Sequence, residues 1–403
     1  MIHDFFSWTL WKTSIEEEID GLGGWVRIIS WNPNGDEIAV GLGGFNLTDK
    51  RGAVLVYDSK GDMLWSYKTS SPIVNLEWVS NGKNLFAATK TGEVYLFNPV
   101  KGKIIWNTNL HAYIFDASWN PSKKAIAVAT GIPASGVYLF DINGSLRWSK
   151  PSSMEAYDVE WSSNGELLAV CYTMNIPTTS GKLVIYQFNG KQVYSYNTSS
   201  EFWKSSFSPS MNYLVIVYGF PYHSVVTYKF NGSLVKPASK AYLGGSVWSI
   251  FWRASKLMLA VGFPGNRFVI TSPTDLKNGI TLGVLKGDLT ASAPNPEGNI
   301  VAISTEWFEH YTKSHGSLYV YDSNGQLLWS TNRLNGGGYA LDWSPNGKEL
   351  IVGTKLGTLY LLDTNHFRYG AYLDGLSLLV GILLFMVIVI LVNIHFPRLL
   401  KFF

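Results

Sequence analysis

Thiols are nearly absent from this chain. Its one cysteine in 403 residues, Cys171, has no partner for an intramolecular disulfide and is too few for a Cys-rich metal site. It lies in the apolar run ELLAVCY, which reads as a buried structural thiol. Charge is scarce too, at 15% of residues against the usual quarter or so. The formal net charge of +3 is small, so bulk charge points to no nucleic-acid partner. The sequence holds no Gly-x-Ser-x-Gly elbow, no His-Glu-x-x-His and no Walker loop. GLGG occurs at Gly21 and Gly41 but does not continue into a strand–GxGxxG–helix unit, so these glycines read as turn formers. The N-terminal MIHDFFSWTLWKTSIEEEID lacks a basic region and a long apolar core, so no secretory signal is expected there.

Aromatic residues, by contrast, are plentiful at 15%, and they are spaced. An aromatic residue followed by a turn recurs as WNPNG at Trp31, WVSNG at Trp78, WNPSK at Trp119 and WSSNG at Trp161. It continues as FSPSM at Phe207, WRASK at Trp252 and WSPNG at Trp343, with a degenerate PNPEG at Pro294. The intervals are 47, 41, 42, 46, 45, 42 and 49 residues. Eight units of about 45 residues suit four-stranded propeller blades.

Each unit reads alike. A strand enters the aromatic marker, and Asn-Gly or a relative supplies the positive φ of a tight hairpin. A second strand follows (EIAV, NLFAAT, ELLAVCY), then a loop and a third (AVLVYD, EVYLFN, GVYLFD). Another turn leads to a fourth (MLWSYKT, IIWNTNL, LRWSK, LLWSTN). The central strands are apolar on both faces, as strands packed between neighbouring sheets should be. Trp65, Trp106 and Trp148 precede the next marker by 13 residues and Trp329 by 14, so most tryptophans read as blade packing rather than a ligand cage.

WSPNG…LIVGT…GTLYLLD resembles a WD40-type repeat, without the Gly-His dipeptide and most Trp-Asp endings. GEVYLFNPVKGKIIW is similar to the PQQ-like quinoprotein repeat. The resemblance covers about Phe5 to Asp363 and implies an all-β, eight-bladed β-propeller. It implies no particular activity, since such scaffolds host adaptors, assembly factors and enzymes. Quinoprotein dehydrogenases share the eight-bladed ring, but their cofactor site commonly has adjacent cysteines that this chain cannot supply. No cofactor and no metal are therefore expected.

The eighth unit ends after three strands, at Asp363. The N-terminal FFSWTLWKTS resembles DMLWSYKTS, so a strand at about 5–14 is expected to pair with Thr358–Leu362 and close the ring, hiding two sheet edges. The alternative is an amphipathic helix from Phe5, and Ser14 opens a capping-box pattern. Beyond the propeller (1–365) and a linker (366–374), residues 375–396 form an uncharged stretch, followed by a tail at 397–403. As a helix rising about 1.5 Å per residue, it would span a hydrocarbon core of about 30 Å.

The resemblance places the loops between second and third strands, and between blades, on one face, the top. The chain then leaves the bottom toward the bilayer. Long loops start at Gly41, Tyr172, Tyr218 and Ser304, and long loops on rigid scaffolds carry binding residues. The candidates for partner contact are Phe45, Phe220, Tyr222, His223 and Phe263, with Trp307, Phe308, His310, Tyr311 and His315. Equally, these rings could plug the channel and pack between blades. His310, His315, Glu306 and Glu309 match no metal-ligand spacing. The expectation is a single-pass, non-catalytic scaffold or adaptor for protein partners at a membrane, possessing no nucleic-acid role. The alternative is a quinoprotein-like enzyme or a small-ligand sensor using the channel. Lacking a signal, the propeller is expected on the cytoplasmic side. Arg398 and Lys401 beyond the span and four Asn-x-Ser/Thr sequons (Asn46, Asn143, Asn197, Asn231) argue for the opposite side.

Overall fold

The computed structural model describes residues 9–15, 24–44, 51–174, 179–219, 222–253, 256–262, 265–283, 286–309 and 313–366. They form eight antiparallel four-stranded sheets. Seven sheets are consecutive: each runs outward from an innermost strand to a fourth at the rim. The innermost strands are β2 (Val26–Trp31), β6 (Ile73–Val79), β10 (Ile114–Asn120), β14 (Glu155–Trp161), β18 (Phe202–Phe207), β22 (Val247–Arg253), β26 (Asp288–Pro294) and β30 (Gly338–Trp343). The second and third strands of each blade are buried, for example Ala125–Thr130 and Glu349–Thr354, so the core is a ring of apolar layers between blades.

The eighth sheet joins the two ends of the described chain. β1 (Thr9–Ser14) pairs antiparallel with β32 (Thr358–Asp363), with Thr9 opposite Leu362 and Ser14 opposite Thr358. The expected closing strand is therefore present, and the helical alternative is overturned for residues 9–14; the part at 5–8 lies outside the described residues. The register carries one surprise. Matching Lys-Thr-Ser of the two segments would place Trp11 like Tyr67. Instead Trp11 faces Leu361, as Trp65 faces Val56. A two-residue shift keeps every side chain on its face, so packing selects this register.

The repeated tryptophans work as clasps between blades. In the outer strands the indole N–H donates to a carbonyl of the next blade: Trp11 to Ser59 (3.1 Å), Trp106 to Ile142 (2.8 Å) and Trp148 to Phe188 (2.9 Å). Nearer the axis, Trp78 donates to Ser30 (2.8 Å) and Trp343 to Ala293 (2.9 Å), reaching back to the preceding blade. Cys171 is fully buried, and burial raises its thiol well above the ordinary range.

The turns joining first to second and third to fourth strands share the bottom face. The described chain ends there, in a 3-10 turn at Thr364–His366, where the Thr364 N–H donates to the Lys348 carbonyl at 2.9 Å. Among the described residues no helix is long and apolar enough to cross a membrane. Residues 375–396 lie outside them.

Candidate functional site

All eight innermost strands share one irregularity. The ladder to the second strand slips by one residue near the top of each, between Val26 and Ile28, Ile73 and Asn75, Ile114 and Asp116, and so on around the ring. Such a β-bulge re-aims a side chain out of the sheet. The bulged residues of blades 3 to 6 are Phe115, Tyr157, Trp203 and Trp248, and blade 8 supplies Tyr339. They form an aromatic arc at the top of the channel. Phe115 and Tyr157 stack with centroids 4.4 Å apart and planes 13° apart. Trp203 meets His223 edge-on at 5.7 Å, and Trp248 remains 45% exposed. Exposed, rigid rings with few rotatable bonds are the residues from which binding hot spots are built.

Below the arc the channel is charged. A cavity of about 290 Å³ is lined by Glu77, Asp116, Asp158, Glu160 and Lys204, with Ser205 and Ile250 among its other walls. Two of the carboxylates hold neighbouring inner strands together. Asp116 accepts the Val159 N–H at 3.2 Å, and Asp158 accepts the Ser205 N–H at 2.8 Å. Elsewhere in the ring, Asp342 accepts the Trp31 N–H at 2.7 Å, so the same device spans the closure. Each carboxylate offers about four acceptor sites, so these clasps leave capacity unused.

The enclosure shifts their protonation. Burial pushes the Glu77 carboxyl up to about 7, helped by repulsion from Asp116 and opposed by the Trp119 N–H. Burial also lifts Asp116 to about 7 despite Lys204, and Glu160 to about 8, with Asp158 and Asp116 adding repulsion. Burial alone would lower the Lys204 ammonium. Asp158, Asp116 and Glu160 outweigh it and raise the group above its ordinary range, with Asp158 3.5 Å away.

The candidates from the sequence distribute unevenly. Phe45, Phe220, Phe263, His310 and Tyr311 lie outside the described residues. Tyr222 is exposed, beside the Trp203–His223 pair on the top face. The expected long loop from Ser304 is instead an extended hairpin. β27 (Ile300–Glu309) and β28 (Lys313–Asp322) continue their ladder so that Trp307 faces His315. The backbone ladder runs on through polar residues, from Thr305 opposite Ser317 to Glu309 opposite Lys313. Trp307 stacks on His315 at 4.4 Å, with the Lys286 ammonium 3.0 Å from the ring centroid, so this pair packs within its blade. The loop from Tyr172 is likewise shortened by strands reaching Met174 and restarting at Ser180.

A second assembly links blades 7, 8 and 1. The buried Glu306 carboxylate receives Lys355 at 3.0 Å, the Tyr339 hydroxyl at 2.7 Å and the Ser314 hydroxyl at 2.6 Å. Burial would raise this carboxyl, but these donors hold it below the ordinary range. The Lys355 ammonium also lies 4.6 Å from the Trp25 ring centroid and 5.5 Å from that of Phe308, which is 52% exposed. Glu306 is thus committed to neighbours of its own chain. Among the described residues no group of three His, Cys, Asp or Glu side chains converges as metal ligands would.

The bulge arc escaped the sequence reading, yet it carries a signal. The bulged residue stands four places before each repeat marker, and that column reads Arg27, Val74, Phe115, Tyr157, Trp203, Trp248, Thr290, Tyr339. Aligning the eight units by column exposes it.

The sequence profile described as outer membrane protein assembly factor BamB matches residues 50–239. No curated protein sequence is significantly similar to the chain. Among solved structures, Chaetomium thermophilum Sqt1 bound to the N-terminus of ribosomal protein L10 is similar at 14% identity, TM-score 0.67, over 86% of this chain and 98% of that one. The C-terminal WD40 domain of Sif2 is similar at 15% identity, TM-score 0.65, over 84% and 96%. The computationally designed protein Ika8 gives 15% identity and TM-score 0.65 over 86% and 98%. These likenesses speak to the fold. With the blade repeats and the closed ring, they show that the chain has the β-propeller fold and is similar to propellers built from WD40-like and PQQ-like repeats.

Proposed function

We propose that this propeller is a non-catalytic scaffold that holds a protein partner on its top face, anchored in a membrane by residues 375–396. The observation that carries the reading is the aromatic arc. Eight equivalent bulges turn side chains toward the channel mouth, and in blades 3 to 6 all four are rings. A channel plug would bury such rings, whereas Phe115 and Trp248 are exposed. The BamB profile is described as an assembly factor, and the Sqt1 structure holds a protein terminus, so both lend weight to partner binding. Membrane attachment rests on the uncharged 22-residue stretch and on the bottom-face exit of β32 at Asp363. Residues 367–374 reach about 30 Å at most when extended, which keeps the bottom close to the lipid and turns the arc away. Within this reading the chain is a subunit or assembly factor of a membrane complex, its propeller on the cytoplasmic side.

The test is affinity isolation from detergent-solubilised native membranes. The wild-type chain should retain a stoichiometric protein partner, and the F115A/W248A variant should lose it while melting cooperatively. Equal recovery by both would remove the top face from the account. Protease protection in sealed vesicles reads the side: cleavage in intact vesicles supports the cytoplasmic placement, and protection reverses it.

A further inference from the structure

Resting on the top-face reading above, we infer that the docked segment is an extended basic peptide. Its arginine or lysine side chain passes from the aromatic arc of blades 3 to 6 into the acid-lined channel.

The aromatic arc presents ring surface to solvent. Phe115, Trp248, Ile132 and Tyr222 are all exposed on it. Flat rings of this kind accept a guanidinium or ammonium over their faces. Two carboxylates stand on the same arc. Glu155 accepts the Ile132 N–H at 3.2 Å and Glu201 accepts the Trp203 indole N–H, which positions both acids beside the rings.

Below it, four carboxylates, Glu77, Asp116, Asp158 and Glu160, face one ammonium, Lys204. Above about pH 8, where Glu77, Asp116 and Glu160 are ionised beside Asp158, this negative concentration is local and opposes the chain's bulk charge of +3. Low-dielectric walls focus such a field at the mouth. Across the mouth stand cations, one of them paired with Glu306. Arg27, Lys286 and Lys355 occupy blades 1, 7 and 8, and Lys90 feels repulsion from Arg27. The aromatic rings of blades 3 to 6 therefore stand over the channel carboxylates. On that side, Lys240 stands at the outer edge, 5.7 Å from the Tyr222 ring centroid, and the Arg267 guanidinium is engaged by the Leu243 carbonyl. An acidic peptide or an anionic lipid surface would meet like charge where the rings are, whereas a basic segment gains stacking and charge pairing together.

The experiment uses the purified full-length protein in nanodiscs at pH 8.5, where the channel acids are ionised, and a capped decapeptide of alternating arginine and glycine, followed by tryptophan fluorescence and calorimetry. The control replaces each arginine with citrulline, which keeps the shape and removes the charge. The arginine peptide should bind and the citrulline peptide should bind at least about tenfold more weakly, as charge complementarity requires. E77Q/E160Q, which keeps the side-chain shapes, should weaken the arginine peptide about tenfold, and F115A/W248A should weaken it similarly. Circular dichroism melting identifies a variant that fails to fold, and E155Q at the rim then provides an independent variant. Equal binding of both peptides, or no effect of E77Q/E160Q and E155Q, overturns the inference. If F115A/W248A abolishes capture of the native partner while the arginine peptide does not bind, the scaffold reading stands and the basic occupant falls.

Discussion

The indole of Trp11 lies against Gly61 and donates its N–H to the Ser59 carbonyl at 3.1 Å, reaching from the last blade to the first. Trp65, Trp106 and Trp148 cover Gly102, Gly144 and Gly190 in the same manner. Trp11 also stacks on Tyr57 at 6.1 Å, as Trp106 does on Phe140. The closure is thus made with the same contact that joins ordinary neighbouring blades.

Removing that contact should therefore cost as much as removing an internal one. Trp11→Ala is expected to destabilise by about 2–4 kcal/mol, close to Trp106→Ala, in urea unfolding. Gly61→Ala should also destabilise, because φ is +96° there and a Cβ would stand 2.8 Å from the Trp11 ring. A Trp11→Ala variant as stable as wild type would show that β1 does not hold the ring shut.

Lys355 and Glu306 make a different test, because their charges are enclosed. Lys355→Met leaves the buried carboxylate without its cation, and a loss of about 2–3 kcal/mol is expected at pH 7. The Glu306 carboxyl is held low in the folded chain, so its contribution is present above the unfolded value of about 4.3 and fades as pH falls through the folded one. The Lys355→Met penalty should accordingly shrink toward pH 4. Adding Glu306→Gln should recover most of it. A penalty independent of pH would refute the electrostatic account.

The channel has the opposite sign. Glu77, Asp116 and Glu160 titrate higher in the folded chain than in the unfolded one, at about 7, 7 and 8. Their protonated forms favour folding. That contribution is complete below about pH 4.3 and is lost as pH rises to about 8. Between pH 6 and 8.5 the melting temperature should fall, with Asp158 and Lys204 facing the same cavity throughout. E77Q/E160Q should flatten the slope. A wild-type melting temperature that rises across this interval would contradict the assignment.

Much of the fold was legible because a repeat turns one weak signal into eight. Asn-Gly after Trp31, Trp78, Trp161 or Trp343 is ambiguous alone, but equal spacing makes it a blade boundary. The closing strand was legible through its likeness to the outer strand around Trp65. Its register was not, since Lys-Thr-Ser is shared for reasons other than pairing. The hairpin of Trp307 and His315 looked like a loop because its polar residues hid a continuing ladder. The functional arc was hidden for a deeper reason. A bulge breaks strand alternation, so Phe115 and Trp203 read as ordinary strand rings until the sheet shows them turned outward. The acids of the channel, spread over 84 residues from Glu77 to Glu160, come together only when the ring is built.

The claim that the top face is the docking face is tested most directly by placing benzoylphenylalanine at Tyr222, on that face, or at Val100, which is 77% exposed in a bottom turn. Irradiated in native membranes, the chain substituted at Tyr222 should give one discrete protein adduct, and the chain substituted at Val100 none. An adduct from Val100 with none from Tyr222 would mean that partners meet the propeller on the side turned to the lipid.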